Sequence, residues 1–146
     1  MKFRSDFPLP DVDWEPTRDV WAAAAEGRLV IPRCEACRRL AWYPDGICRA
    51  CGEKQFAWTP VSGRGRLFSW SVVRHAFIPQ FEAIVPFVTG LVTLDEDPAV
   101  RLVTLVVDCD MDALRADQPV HAVFRPLAFA GIERRVMAPM FTPDLE

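Results

Sequence analysis

Four cysteines are the residues whose type and spacing are best suited to chemistry in this sequence. They form two Cys-x-x-Cys pairs with ten residues between them, Cys34 with Cys37 and Cys48 with Cys51. A tight turn brings both sulfurs of a pair to one side, so two pairs can close a tetrahedral site of four thiolates around Zn²⁺. Such a site leaves the ion no open position. We therefore expect a structural zinc and not a catalytic one.

Two other interpretations of the cysteines stay open. They could be redox dithiols, although the sequence lacks the βαβ pattern that usually accompanies such motifs, or a ribbon that folds without metal. Gly52 follows the second pair and permits the positive φ that these turns often use. Four arginines near the ligands are expected to offset the negative charge of a zinc tetrathiolate: Arg33, Arg38, Arg39 and Arg49.

The fifth cysteine, Cys109, offers the only further pairing of a nucleophile with a base, through His75 or His121. We interpret Cys109 as a small buried hydrophobic residue, because it ends an apolar strand pattern. His121 lies inside a predicted strand and His75 begins an apolar loop, so neither is placed as a base. We expect no catalytic residue in this chain.

The chain that positions these residues has 146 residues, of which 51% are apolar or aromatic, and a net charge of −3. This composition can bury a core and excludes a disordered protein. No apolar run is long enough to span a membrane, and the N-terminus does not resemble a secretory signal, so we expect a cytoplasmic protein without a membrane partner. The negative charge disfavours nucleic acid as a partner.

One helix is predicted before the cysteines, from about Glu15 to Glu26. Asp13 is the expected N-cap, Pro16 lies in the first turn, and Gly27 ends the helix. An apolar stripe on this helix is typical of either core or a partner surface: Trp14, Trp21 and Ala24 or Ala25.

Five strands are predicted after the cysteines, near residues 65–76, 86–95, 99–107, 119–125 and 132–140. A helical turn at 111–115, capped by Asp110, separates the third strand from the fourth. This is the layout of an OB barrel. In the first strand Phe68, Trp70 and Val72 are expected on one face, and both faces of the strands are largely apolar.

These features together resemble a known family. The segments that carry the resemblance are Gly27-Arg-Leu, Arg33-Cys-x-x-Cys37, Tyr43-Pro44, Cys48-x-x-Cys51-Gly52, Trp58, Ser62-Gly-x-Gly65, Val85-Pro86, Val92-Thr-Leu-Asp95 and Pro119-Val120. They are similar to the zinc-ribbon OB-fold proteins associated with thiolases and acyl-CoA metabolism. The resemblance implies a mainly β chain with an N-terminal helical arm at 1–31, a rubredoxin-like zinc ribbon at 32–60 and a five-stranded OB barrel at 61–146.

The resemblance also implies a role: a non-catalytic subunit that binds a thiolase-like or sterol-carrier-type aldolase partner and helps hold acyl-CoA. We place the candidate acyl-CoA pocket at the apolar loop 74–86, whose alternative role is a lid on the barrel. The candidate ligand-binding residues are Arg64, Arg66, Arg74, His75, Phe77, Ile78 and Phe81. The arginines suit CoA phosphates, although each is also typical of a solvated surface.

Two further functions are considered. A single-stranded nucleic-acid-binding module is the main alternative, since zinc ribbons and OB folds both serve that use and aromatic side chains can stack on bases: Trp42, Tyr43, Trp58, Phe68 and Trp70. A stand-alone acyl carrier is the weaker one. The apolar strand faces also predict that the isolated chain can form a homo-oligomer.

Overall fold

The fold joins a short helix and a two-stranded ribbon to a closed barrel. A computed structural model describes residues 4–145, so the ends of the expected arm and barrel regions at 1–3 and 146 lie outside the described residues. The elements are a 3₁₀ turn at Glu15–Thr17, α1 Arg18–Ala25, β1 Leu29–Cys34, β2 Phe56–Val61, β3 Arg64–Val73, a 3₁₀ turn at Pro79–Phe81, β4 Phe87–Leu94, β5 Arg101–Val106, β6 Pro119–Leu127 and β7 Val136–Pro143. Among them is no helix with the length and apolarity needed to cross a membrane.

The predicted helix is present but begins differently. Residues Glu15–Thr17 form a 3₁₀ turn with Pro16 in its first turn, as predicted. Asp13 is not the N-cap, because that position belongs to Trp14, which makes no side-chain capping bond. The Asp13 backbone N–H instead donates to Asp11 Oδ1 at 3.1 Å, which holds Asp13 in the preceding turn.

The helix ends in a Schellman motif, as the glycine predicts. Gly27 has a φ of +72°. Its N–H donates to the Ala24 carbonyl oxygen at 3.0 Å, and the Arg28 N–H donates to the Ala23 carbonyl oxygen at 2.9 Å. These two bonds satisfy carbonyls that the helix itself leaves free. The chain then turns directly into β1.

Of the predicted apolar stripe, only Ala24 lies on the buried face of α1. Val20, Ala23 and Ala24 are buried, and the helix packs against β1 and β7. Trp14 is 47% exposed, and Trp21 is only partly buried. Small alanines let the helix approach the sheet closely, whereas the larger indoles remain at the edge of the contact.

Strands β3 to β7 form a closed barrel in the order β3-β4-β5-β7-β6, which confirms the OB prediction. The last strand begins at Val136, four residues later than predicted. The residues before it are the exposed charges Glu133, Arg134 and Arg135, and Arg134 pairs with Asp6 at 3.1 Å. Charges that need solvent or a counter-ion keep this segment out of the sheet.

The predicted helical turn between β5 and β6 is a non-helical turn. Its expected cap is nevertheless present, since the Asp112 N–H donates to Asp110 Oδ1 at 3.0 Å. This bond within an Asx turn competes with helix formation, which explains the difference.

A β-bulge in β3 changes the predicted faces of that strand. The register with β4 shifts between Leu67 and Ser69. Leu67 is fully buried, Phe68 is 47% exposed, and Trp70 and Val72 pack against the core. The expectation that Phe68 shares a face with Trp70 and Val72 is therefore wrong, because the extra residue of a bulge inverts the alternation.

The ribbon and the barrel share one hydrophobic core. Leu29 and Ile31 of β1 belong to the same buried cluster as the barrel residues Val92, Leu102 and Phe141. The hairpin of β1 and β2 therefore depends on the barrel for the burial of one face. Since two-stranded sheets are marginal alone, this contact positions the cysteines that follow β1.

Candidate metal centre and adjoining surfaces

The two cysteine pairs have the same backbone geometry. The N–H of Cys34 donates to the carbonyl oxygen of Arg39 at 2.9 Å, and that of Cys48 donates to Glu53 at 2.7 Å, five residues on in both cases. The N–H of the residue four positions later returns to the first cysteine's carbonyl in each turn, from Arg38 at 3.0 Å and from Gly52 at 2.7 Å. Two equivalent knuckles therefore face each other.

The sulfur atoms of these knuckles match the dimensions of a zinc site. All four Sγ atoms lie within 4.8 Å of one another. Cys34 Sγ is 3.6 Å from Cys51 Sγ, and Cys37 Sγ is 3.7 Å from Cys48 Sγ. A tetrahedron with Zn–S bonds of about 2.3 Å has edges of about 3.8 Å, so the residues fit the ion.

Neighbouring groups shift the pKa values of two ligand thiols in opposite directions. Backbone N–H groups of Ala50 and Cys51 donate to the Cys48 sulfur and lower the pKa of its thiol to about 7. The Glu53 N–H lowers the pKa of Cys51, but the Cys34 sulfur and burial outweigh it and raise that pKa to about 12. Adjacent thiolates repel, and a divalent ion removes this repulsion.

The arginines near the knuckles do not act as one group. Arg49 is paired with Asp45 at 2.6 Å. The Nε of Arg33 is buried and has no hydrogen-bond partner among residues 4–145. Arg38 and Arg39 are exposed. The compensation of the tetrathiolate charge by these arginines stays a prediction.

Comparison with known proteins agrees with this architecture. Residues 21–57 match the family model described as the ChsH2 rubredoxin-like zinc ribbon domain, and residues 58–125 match that of the ChsH2 C-terminal OB-fold domain. A "DUF35 domain-containing scaffold protein" of Methanothermobacter thermautotrophicus is 31% identical over 104 residues, which are 70% of this chain and 76% of that relative. The chain belongs to the DUF35 family. All four cysteines lie within the segment that matches the zinc ribbon, and their sulfur atoms are close enough together to hold one metal ion.

Two further relatives of this DUF35 chain are named for enzymes. A "Probable enoyl-CoA hydratase alpha subunit" of Thermomonospora curvata is 38% identical over 67% of this chain, and the chain spans only 30% of that relative's length. A "Benzoylsuccinyl-CoA thiolase subunit BbsA" of Geobacter metallireducens is 26% identical over 65% of this chain and 60% of the relative.

A solved structure resembles the DUF35 chain over almost its full length. It is titled "Ltp2-ChsH2(DUF35) aldolase", and its matching chain is 30% identical, with a TM-score of 0.76. The match covers 92% of this chain and 98% of the other. The arrangement of ribbon and barrel is therefore common to both.

The candidate ligand-binding residues of the DUF35 chain fall into two separate groups. Arg64 and Arg66 lie at the start of β3, whereas the loop with Arg74 follows its other end. A strand of ten residues spans about 30 Å when extended, so these arginines are not near the loop, contrary to expectation. Arg64 lies 3.7 Å from Asp144, and Arg66 donates to the Asp117 carbonyl oxygen at 3.1 Å.

Within the loop, the apolar residues differ in exposure. Phe77 is 85% exposed and contacts His75 edge to face, with ring centroids 4.9 Å apart. Phe81 instead packs against Phe87 and Phe129, with centroids 5.7 Å apart in each case. Ile78 is partly buried and Arg74 is exposed. Phe81 therefore anchors the loop, and Phe77 presents its ring to solvent.

A polar contact at the edge of the barrel was missed by sequence reasoning. His121 Nδ1 lies 2.5 Å from Asp144 Oδ1, where β6 pairs with β7. The residues are 23 positions apart, and neither belongs to a motif, so sequence spacing carries no signal for the pair. Their contact joins the end of the last strand to the strand beside it.

Proposed function

We propose that this chain is a non-catalytic accessory subunit of a thiolase-like or aldolase enzyme, and that it binds the enzyme subunit and helps to hold an acyl-CoA. The observation that carries the proposal is the likeness, at 30% identity, to 98% of a chain in a solved aldolase titled Ltp2-ChsH2(DUF35). Relatives named as a scaffold protein and as a thiolase subunit support the same role. Two relatives are named for enzymes that act on enoyl-CoA and benzoylsuccinyl-CoA, which are both CoA thioesters. Their names support an acyl-CoA as the ligand.

The chemistry of the described residues supports a non-catalytic role. Four thiolates fill the coordination sphere of zinc, so the metal cannot activate water or substrate. Burial and the neighbouring carboxylates of Asp110 and Asp108 raise the pKa of the Cys109 thiol, which keeps it protonated at neutral pH. A protonated thiol is a weak nucleophile, so Cys109 is unsuited to catalysis.

Exposed apolar side chains support a role in binding. Phe77 is 85% exposed on the loop, and Val103 is 77% exposed on the outer face of β5. Large apolar residues at such exposure are typical of surfaces that a partner or ligand covers. In this proposal the loop 74–86 contacts acyl-CoA, as do one or more of the arginines expected from the sequence.

The alternative of single-stranded nucleic-acid binding has less support from the geometry. Trp42 and Trp70 pack against the core, and Tyr43 stacks on Trp14. Phe68 is covered by Arg101, whose guanidinium lies 4.1 Å from the ring centroid. These four rings do not form a row of free faces on which successive bases could stack.

Two binding measurements test the proposal. The zinc-loaded chain should bind decanoyl-CoA more tightly than free CoA in calorimetric titration, and it should co-elute in size exclusion with the thiolase-fold subunit of its own host when the two are co-expressed. The chain alone should not cleave or condense acyl-CoA. Absence of both binding events, or turnover by the chain alone, would contradict the proposal.

A pair of matched variants tests the loop. F77S removes a ring that is 85% exposed and should lower the affinity for decanoyl-CoA or for the partner about tenfold without changing Tm. F68S removes a phenylalanine from the outer face of β3 and should leave both affinities unchanged. Equal binding by the two variants in both assays would exclude the loop as the contact surface.

A further inference from the structure

The barrel is weakly paired between two of its strands. β5 and β7 run parallel and pair at one position, Val106 with Phe141. By contrast, β5 pairs with β4 at six positions, and β7 pairs with β6 at eight. Before that single pair, Thr104 Oγ1 lies 3.4 Å from the Pro139 carbonyl oxygen. The two strands therefore leave a seam, which faces α1 and the ribbon.

A cleft of about 370 Å³ lies along this seam. We call it the seam cleft. Five of its lining side chains are at most 6% exposed and form its floor: Val20, Leu29, Ile31, Leu102 and Phe141. Its other walls include four aromatic side chains, Trp14, Trp21, Trp42 and Tyr43. The cleft is thus a concave apolar space between the arm, the ribbon and the barrel.

Three aromatic residues of the seam cleft pack against one another. Trp14 stacks on Tyr43 with ring centroids 6.1 Å apart and an angle of 24° between the planes. Trp42 meets Tyr43 edge to face at 5.4 Å. Trp14 and Tyr43 are 47% and 52% exposed, so they stand at the mouth. These rings can contact a ligand without reorganising the core.

The charges of the seam cleft limit what it can bind. Its lining includes no lysine, arginine or histidine, and Asp11 is its one acidic residue. The Asp11 carboxylate lies 3.2 Å from the Arg4 guanidinium, so its charge is already paired. A phosphate or carboxylate would lose hydration there without gaining a counter-ion. An uncharged apolar group would gain from burial.

We infer that the seam cleft is a binding site for an uncharged apolar ring system or short chain. A cavity of about 150 Å³ holds one benzene, so 370 Å³ has room for roughly two fused rings. The natural ligand would be the apolar end of an acyl-CoA. This identification of the ligand rests on the proposed function, which the inference deepens. The charged CoA moiety would lie outside the cleft.

Naphthalene is the test probe, because it is flat, uncharged and of the right size. Titration of the zinc-loaded full chain, followed by NMR of the indole N–H signals, should shift the signals of Trp14, Trp21 and Trp42. Trp58 and Trp70 do not line the cleft and serve as internal controls. The anionic analogue 2-naphthoate should bind at least tenfold more weakly.

Substitution at the lip of the cleft separates this site from other surfaces. Val103 is 77% exposed, so V103F adds bulk at the mouth without altering the core and should weaken naphthalene binding at least tenfold. A113F adds a ring at an exposed residue that does not line the cleft and should bind within twofold of the wild type. Equal binding by V103F and A113F, or shifts at Trp58 and Trp70 as large as at the other three, would overturn the inference. Failure of the proposed function would appear instead in the decanoyl-CoA and partner assays, which do not involve naphthalene.

Discussion

Arg38 and Gly52 occupy equivalent positions in the two cysteine knuckles, and both have positive φ, at 66° and 80°. The N–H of each donates to the carbonyl oxygen of the first cysteine of its knuckle. Only the second knuckle has glycine at this position. The first therefore bears the strain that a side chain meets in the left-handed region.

Replacing these two residues should have opposite effects. R38G should raise the free energy of unfolding by about 0.5–1 kcal/mol, because it removes left-handed strain. G52A should lower it by about 1 kcal/mol for the same backbone reason, since no atom lies within 4 Å of the added Cβ. Denaturant unfolding of the zinc-loaded variants measures both. A loss of stability in R38G would show that its side chain makes a stabilising contact that outweighs the strain.

Zinc should stabilise the barrel as well as the ribbon. Leu29 and Ile31, which precede the first ligand, lie in the core that both parts share. C48S should therefore lose the metal and several kcal/mol of stability, since structural zinc contributes directly to folding. C109S, at the cysteine outside the cluster, should retain one zinc ion per chain by elemental analysis. An unchanged Tm in metal-free C48S would contradict the shared-core account.

Gly65 should tolerate substitution less well than Gly90. A Cβ at Gly65 would lie 2.2 Å from the backbone oxygen of Thr93, and β3 and β4 would have to separate. At Gly90 the closest atom is Val106 Cγ2, a side-chain atom at 2.8 Å. We expect G65A to cost about 3 kcal/mol or more and G90A about half as much, by thermal and denaturant unfolding. The reverse order would show that the strands separate more easily than the core repacks.

Glu96 should make stability depend on pH. Although burial raises its pKa, the Ser62 N–H, which donates to Glu96 Oε1 at 2.5 Å, outweighs this and holds the pKa below its usual 4.5. The folded state thus favours the ionised form, and this stability is present above pH 4.5 and is lost as the pH falls through the lowered pKa.

E96Q tests this dependence. It should lower the free energy of unfolding at pH 7 by about 0.5 kcal/mol, a small value because water screens an exposed carboxylate. The difference from wild type should vanish at acid pH. E133Q, the same change at another exposed glutamate, should have no such profile. A pH-independent effect of E96Q would mean that the charge is not its cause.

Substitutions at Phe81 and Phe77 should distinguish an effect on folding stability from an effect on binding. F81S removes the ring that packs on Phe87 and Phe129 and should cost about 2 kcal/mol of folding free energy. F77S should change it by less than about 0.5 kcal/mol, because that ring is 85% exposed. Thermal unfolding of both variants provides the comparison. A large loss of folding free energy in F77S would show that Phe77 stabilises the folded state.

Several features could be predicted from the sequence because their causes are local. The Cys-x-x-Cys spacing predicts the metal centre, since each knuckle is complete within six residues. Gly27 predicts the end of the helix, because the motif needs positive φ at that residue. Turn signals between apolar segments predict five strands after the cysteines, and their number and layout predict an OB barrel, which the structure confirms.

Other features could not be predicted, because they depend on residues distant in sequence. The bulge at Phe68 is a property of the pairing between β3 and β4, so it inverts the face of that residue without a local signal. Gly65 has no room for a side chain, because a Cβ there would collide with the backbone oxygen of Thr93, 28 positions away. His121 and Asp144 meet only after β6 and β7 pair.

By itself, the sequence determined which four sulfur atoms can hold a metal and roughly which five segments form the barrel strands, because the spacing of the cysteines and the turn signals between apolar segments are local. The tertiary structure alone decided which apolar residues face outward, that His121 meets Asp144, and that the seam cleft exists. Those properties come from the closure of the barrel, in which strands that are distant in sequence pack and pair with one another. No short segment of the chain contains these contacts.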